Sequence, residues 1–413
     1  MPHDAVESGA LRSEGAPRRL PVWALGLANT PTGFVFGFIS TAMGILLAAR
    51  HVPVARVGEI SAIAFSPCFW AWTLSPVLDV RFTKRAYGYF FATLAALLLG
   101  TALFVIGNLT LFTIALTASC ASVVLYSTAV GGLMPDILAN SEYDVASGWV
   151  NVANLGAAGI FGAAAVGLVR TLPLPAVAVL LVLAVMAPVL LLLPRFPAAP
   201  RPEGSLAANF AAMARDLRRV AREGRIWIGL LIFLVPVGGF ALTNLFSTLG
   251  SDFGAGEKSV TLLNGPGVAV ACSVGCLLAI PLCRRWKRRT VYLAAGVGAA
   301  LVSGAMGFLP HTMAVYLAGV LAYNLCQGFN YTAMIALEFD IVGPRNALAG
   351  TMIAVMTASA NVPISTMTYI DSRAHDAHGL HAMFMVDSLS ALGTIVVLML
   401  VLPLLDRWLA RRT

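Results

Sequence analysis

The chain reads as an all-α membrane protein: twelve transmembrane helices in two parallel six-helix repeats, with both termini cytoplasmic. Three observations predict this. Of the 413 residues 59% are apolar and 11% charged, with a mean hydropathy of +0.84. A soluble domain carries about a quarter charged residues, so a bilayer is the solvent that suits this composition. All 27 Lys and Arg residues fall outside the long apolar stretches. Short motifs also recur at an offset of about 205 residues along the chain.

The spans are expected near 22–47, 57–78, 87–107, 109–131, 146–169, 172–194, 226–249, 259–282, 291–309, 313–337, 348–370 and 383–405. Each is long enough to cross about 30 Å of hydrocarbon at about 1.5 Å per residue. Pro31, Pro236 and Pro363 fall inside spans, where neighbouring helices re-satisfy a freed carbonyl. No alternating ten-residue pattern appears, which argues against an outer-membrane barrel. The third and fourth spans are separated only by Gly107-Asn108.

Charge sets the orientation. With the N-terminus in the cytoplasm, 22 basic residues lie inside, clustered at 12–19, 81–85, 195–225, 284–289, 345 and 407–412. Five lie outside: Arg50, Arg56, Arg170, Lys258 and Arg373. This asymmetry places both termini in the cytoplasm. The net charge of +8 is accounted for by lipid contacts at span ends, so nucleic acid is not an expected partner. One inner loop, 132–145, breaks the trend with Asp136, Glu142 and Asp144 and no base.

The repeat divides the chain. Pro31-Thr32-Gly33 recurs as Pro236-Val237-Gly238, Pro76 with Tyr87 as Pro281 with Tyr292, and Asp136-Ile137-Leu138 as Asp340-Ile341-Val342. The organisation is then a cytoplasmic tail (1–20), a six-helix bundle (21–195), a linker (196–225), a second bundle (226–405) and a basic tail (406–413). The linker opens with Pro197, Pro200 and Pro202. It continues with Leu206, Phe210, Met213, Leu217 and Val220 at helical spacing, as an amphipathic helix on the inner surface would. The first twenty residues lack a cleavable signal pattern. The six cysteines lie in or beside spans without a C-x-x-C pair.

Twelve spans, a six-plus-six parallel repeat and a basic central loop resemble the plan of the major facilitator superfamily. The loop Ser75-Pro76-Val77-Leu78-Asp79-Val80-Arg81-Phe82-Thr83-Lys84-Arg85 is similar to that superfamily's signature loop, with Ser75 in place of a Gly and the Arg displaced by one. The Pro three residues before the Asp looks like the branch of AmpG-type muropeptide permeases and acetyl-CoA transporters. RhtX/FptX-type siderophore permeases are similar in size and plan. The stretch Tyr126–Leu133 lacks the acids those muropeptide permeases carry late in the fourth span.

The resemblance implies a monomeric secondary transporter of the cytoplasmic membrane. Its substrate is a medium-sized polar or amphipathic small molecule, and it needs no cofactor. It also implies a cytoplasmic gate, for which Asp79, Arg81, Lys84, Arg85, Asp136 and Asp340 are the candidates. Glu338, Glu142 and Asp144 would help neutralise nearby basic loops; a solvated loop is the alternative. In the tenth span Tyr323, Gln327 and Asn330 share a helical face, with Asn324 and Tyr331 beside it. Because the superfamily lines its cavity with spans one, four, seven and ten, Asn29, Tyr126 and Asn244 join them as cavity candidates. Interhelical hydrogen bonding is the competing role.

Glu59 and Asp387 are the acids inside the expected spans and are candidates for proton coupling; an interfacial position is the alternative for Glu59. His375, His378 and His381, with Asp371 and Asp376, crowd the last outer loop. Their spacing alone does not make a metal site, since no further ligand is in view, and none is expected. No G-x-x-x-x-G-K-[ST] loop occurs, so ATP does not drive the protein directly. The spans offer no convergent nucleophile, base or metal ligands, which excludes an enzyme. A membrane sensor or a drug and metabolite efflux carrier are the remaining alternatives.

Overall fold

A computed structural model describes residues 21–52, 54–196, 224–237, 240–344, 346 and 348–410, with positions 211, 214, 215 and 218 between them. The expected amphipathic residues of the linker, Arg345 and both chain ends lie outside the described residues.

Among the described residues, eleven of the twelve expected spans are helical over most of their length and the seventh is interrupted. The passes are α1 (Val22–Leu47), α2 (Glu59–Asp79), α3 (Lys84–Phe104), α4 (Leu109–Ile137), α5 (Asn140–Thr171), α6 (Leu174–Arg195), α7 (residues 224–253), α8 (Lys258–Arg285), α9 (Arg288–Phe308), α10 (Met313–Val342), α11 (residues 349–378) and α12 (residues 380–410). Among the described residues nine helical segments are long and apolar enough to cross a membrane. The count falls below twelve for structural reasons: α7 is interrupted, the amides of α10 lower its hydropathy, and α11 and α12 run together.

Local chemistry sets the breaks. The tight turn between α3 and α4 closes because Asn108 Oδ1 accepts from the amides of Thr110 (3.1 Å) and Leu111 (3.2 Å), a helix N-cap. Contrary to the expected continuous span, α7 stops at Leu234 and resumes as short turns from Ala241. Pro236 has no amide to donate, and Phe240 sits at φ 41°, so the helical ladder cannot pass. Pro363 lies inside α11 without such a break.

The expected outer loop at 371–382 is also absent. Helix continues through it, and Gly379 (φ 79°, ψ −174°) is the one non-helical residue between α11 and α12. Glycine alone takes this conformation without strain. Asp371, Asp376 and the three histidines are therefore helical residues.

The halves meet along two seams, α5 against α8 and α10, and α2 and α4 against α11. Small residues allow the approach: a Cβ on Gly159 would lie 2.3 Å from the Cβ of Ala269. Close backbone packing of this kind is how helices associate where lipid gives no hydrophobic drive.

Candidate functional site

A cavity of about 250 Å³ lies between the two halves. Its walls come from α1 (Asn29, Thr32, Phe36), α2 (Cys68, Trp72), α4 (Ser127, Thr128), α5 (Asn151, Asn154), α10 (Tyr331, Met334, Ile335, Glu338) and α11 (Thr357, Asn361). The α10 contribution follows the i, i+3, i+4, i+7 spacing of one helical face. Among the described residues Glu338 is the one charged side chain in this lining. Its Oε1 accepts from Thr357 Oγ1 across the α10–α11 contact, at 3.3 Å.

Of the eight cavity candidates, Asn29 and Tyr331 line this space. The others make helix-to-helix bonds in this conformation. Tyr126 donates to the Ala28 carbonyl (2.5 Å), Tyr323 to Asp387 (3.3 Å) and Asn330 Nδ2 to the Tyr292 carbonyl (3.0 Å). Asn324 Oδ1 accepts from Thr243 (3.1 Å), and Gln327 Oε1 lies 3.2 Å from Cys272 Sγ. Asn244, in the broken α7, is outside the lining and donates to Thr368 Oγ1 at 3.3 Å. Of the expected walls α1, α4 and α10 line this space and α7 does not, and α2, α5 and α11 complete the lining. Pro236 ends the helix that would have carried Asn244 inward.

Two cross-half latches close the end of the molecule that carries the α2–α3, α4–α5 and α10–α11 connections. In the first, Arg288 at the start of α9 reaches the start of α5. Its Nε donates to Asp144 Oδ1 (2.6 Å) and its Nη2 to Asp144 Oδ2 (3.3 Å) and the Asn140 carbonyl (2.6 Å). Nη1 donates to Asn140 Oδ1 (3.1 Å) and to Asp340, which belongs to the same half as Arg288. Asn140 also donates to Asp340 Oδ1 (3.0 Å). Fork geometry of this type gives charge-assisted, directional bonds.

In the second latch Asp79, at the end of α2, caps the start of α11. Its Oδ2 accepts from the Thr351 amide (3.0 Å) and hydroxyl (2.8 Å). A carboxylate at a helix N-terminus meets unpaired amides and the positive end of the helix dipole. Lys84 Nζ stands 3.8 Å from Asp79 Oδ1 and donates to the Gly132 carbonyl at 3.0 Å. The cap sits close against a glycine: a Cβ on Gly350 would lie 3.1 Å from Asp79 Oδ1.

Among the other gate candidates, Arg85 donates to the Phe196 carbonyl within its own half (3.2 Å). Arg81 is exposed, 5.1 Å over the Phe82 ring. Asp136 is exposed on the short turn Met134–Ile137.

The sequence profile of the Major Facilitator Superfamily (MFS_1) matches residues 25–368. The chain belongs to the Major Facilitator Superfamily. The solved structures agree on the fold. A proton:xylose symporter, XylE, is 15% identical with a TM-score of 0.71, covering 92% of this chain and 95% of that one. The E. coli fucose:proton symporter FucP is 17% identical with a TM-score of 0.65, covering 91% and 95%. A bacterial homologue of the iron transporter ferroportin, in its outward-facing state, is 14% identical with a TM-score of 0.69, covering 92% and 99%. Among curated proteins none matches this chain in sequence. The protein is a multi-pass membrane transporter of this superfamily rather than an enzyme.

Within this transporter the acids sort by position. Glu59 is exposed and pairs with Arg56 at 2.5 Å. Asp387 is buried, as is Asp371. The spans therefore hold more acids than Glu59 and Asp387: Glu338 and Asp371 were expected just past the ends of spans, and the observed helices extend beyond both. The histidines diverge. His375 Nε2 lies 3.7 Å from Asp252, and His381 Nδ1 lies 2.9 Å from the Gly307 carbonyl. Among the described residues no group of three or more His, Cys, Asp or Glu side chains could hold a metal.

Sequence reasoning did not single out Arg288, Asn140 or Thr351 for the latches. The signal for Glu338 was present, seven residues after Tyr331 on the same face. No signal distinguishes Arg288 from the four other bases at 284–289.

Proposed function

We propose that this transporter is a proton-coupled carrier of a medium-sized polar or amphipathic solute across the cytoplasmic membrane. Alternating access exposes the central cavity first to one side and then to the other. The observation that carries the reading is the cavity between the halves with Glu338 as its sole charged lining group. A carboxylate at membrane depth is costly and marks a functional position by default. Glu338 takes a cationic or hydrogen-bond-donating group of the solute, and Asn29, Asn154 and Asn361 take its polar groups.

The wider assignment follows the sequence. Residues 21–195 and 226–405 form the two rocking bundles, joined by the linker at 196–225, with both tails cytoplasmic. The basic loops put the latched end inside the cell, so Asp79, Lys84, Asp144, Arg288 and Asp340 act as the inner gate, closed in this conformation. The resemblance to AmpG-type and RhtX/FptX-type permeases favours a muropeptide-like fragment or a siderophore-like chelate, carried by a monomer. The proton symporters among its structural relatives support a proton as the coupling ion.

A second substrate class has its own support. Phe36, Trp72 and Tyr331 surround a single carboxylate with no Lys or Arg in the lining, a setting that suits an amphipathic cation and efflux.

Proteoliposomes with an imposed pH gradient test both. The panel is a ferric hydroxamate, an anhydro-muropeptide, a labelled hexose and tetraphenylphosphonium. We expect one class to move, a protonophore to stop its accumulation, and Glu338→Gln to abolish its binding in folded protein. A Glu338→Gln variant that transports at the wild-type rate would contradict the proposal.

A further inference from the structure

We propose that Asp371 and Asp387, with Tyr323, form a proton-binding site inside the second half, apart from the central cavity, and that this site carries the coupling proton. The inference rests on the proton-coupled reading above and supplies the site that reading lacks. The geometry begins at Gly379, the single non-helical residue between α11 and α12. Asp371 stands eight residues before it and Asp387 eight after it. At about 1.5 Å per residue both residues stand about 12 Å of helix from the bend, and Met367 of α11 borders the same small space as Asp387 and Ala391 of α12, so the two helices pack side by side there.

Both are withdrawn from solvent, with Asp371 0% and Asp387 7% exposed. Tyr323 reaches Asp387 from α10, its hydroxyl donating to Oδ1 at 3.3 Å. Asp371 has no such partner: among the described residues neither of its carboxylate oxygens is hydrogen-bonded. A buried polar group in a native fold is rarely left unmatched, and an unmatched one points to something that binds it. Neither acid lines the central cavity. Asp387 and Tyr323 border a separate space of about 10 Å³, too small for a solute.

Among the described residues the surroundings supply no positive charge. From α9, Ser303 donates to the Phe384 carbonyl (3.1 Å), and from α12, Ser388 donates to the Ala300 carbonyl (2.8 Å). His381 is engaged by the Gly307 carbonyl. From α7 come the Phe240 ring, 5.2 Å from that of Tyr323, and Asn244, which bonds Thr368. On the next turn of α11, His375 faces Asp252 and Arg373 is exposed. Two neighbouring carboxyls in a low-dielectric site without a cation cannot both hold charge cheaply. One proton resolves this: an O–H forms on one carboxyl while the other stays ionised, and release returns the proton to water with one negative charge gained.

The same helix links this site to the inner latch. Asp371 and Thr351, the residue Asp79 holds, are twenty residues apart on α11, so a shift at one end is transmitted to the other by a rigid rod.

Infrared difference spectroscopy of the full-length protein, titrated with pH in water and in deuterium oxide, reads the proton without needing a substrate. We expect a protonated-carboxyl band that titrates and is lost in both Asp371→Asn and Asp387→Asn. In proteoliposomes these variants should lose pH-driven accumulation while exchange between equal concentrations persists. Glu338→Gln should show the reverse pattern, keeping the band and losing transport. That separates a failure of the cavity reading from a failure of this one. A folded wild-type protein with no titrating band, a band untouched by both substitutions, or full accumulation by Asp371→Asn would overturn the proposal. So would thermal stabilisation by Na⁺ that Asp371→Asn removes, since the site would then be a sodium site.

Discussion

The two latches occupy corresponding places in the repeat and use opposite charges. One joins the α8–α9 connection to the start of α5; the other joins the α2–α3 connection to the start of α11. The first places a cation, Arg288, against a buried carboxylate, Asp144, of the other half. The second places a carboxylate, Asp79, against the amide and hydroxyl of Thr351. Each central residue also keeps a counter-ion in its own half, Asp340 for Arg288 and Lys84 for Asp79. Arg288 and Asp79 can therefore leave the other half without being stranded, because the retained partner stays in place. Architecture can be repeated while the chemistry at equivalent points is inverted, provided each side keeps its charge matched.

The comparison also ranks the latches. Removing Arg288 takes a donor from Asp144, Asp340 and Asn140 at once. Breaking a buried pair from one side costs about 3–5 kcal/mol, so Arg288→Ala should shift the closed state by at least about a hundredfold. Labels on Ser141→Cys and Arg285→Cys, both exposed and in opposite halves, would report this as a longer distance. Asp79→Asn should have the next largest effect. It weakens hydrogen bonds from Thr351 that a charged acceptor makes worth about 1.5–3 kcal/mol each, and solvent accessibility of a cysteine at Thr351 reads the loss.

Gly350→Ala should come third. The added Cβ would crowd Asp79 Oδ1 at 3.1 Å, and overpacking of this sort costs about 1–3 kcal/mol. Thermal unfolding in detergent should show a lower midpoint, with no further loss when Asp79→Asn is added. The smallest effect should follow Thr351→Val, which keeps the amide donor and loses only the hydroxyl bond, about 1.5 kcal/mol. An effect of Thr351→Val as large as that of Asp79→Asn would show that the hydroxyl, not the helix terminus, makes the second latch.

Much of the fold was legible because a membrane span is a strong and simple signal. The spans, the repeat and the superfamily followed from apolar length, basic clusters and the loop at 75–85. What stayed hidden depends on tertiary context. Pro236 breaks α7 while Pro363 leaves α11 intact, and the sequence around each does not distinguish them. The helix through 371–382 looked like a loop because its polar residues outweighed its length. Glu338 was assigned to a span end at 337, whereas α10 runs to Val342. The polar residues of α10 marked a protein-facing helix but not which of them meet the cavity, since Asn330 and Gln327 spend their amides on neighbouring helices. Arg288 is one of five bases in six residues, and only its position at the start of α9 aims it at Asp144.

The most direct test of the latch account is the Ser141–Arg285 distance distribution, measured by double electron–electron resonance in nanodiscs. The account predicts one short population in the otherwise wild-type protein. In Arg288→Ala it predicts a dominant longer population, and in the charge-swapped pair Arg288→Asp with Asp144→Arg a partial return to the short one. Indistinguishable distributions in the wild type and Arg288→Ala would show that Arg288 does not hold the two halves together.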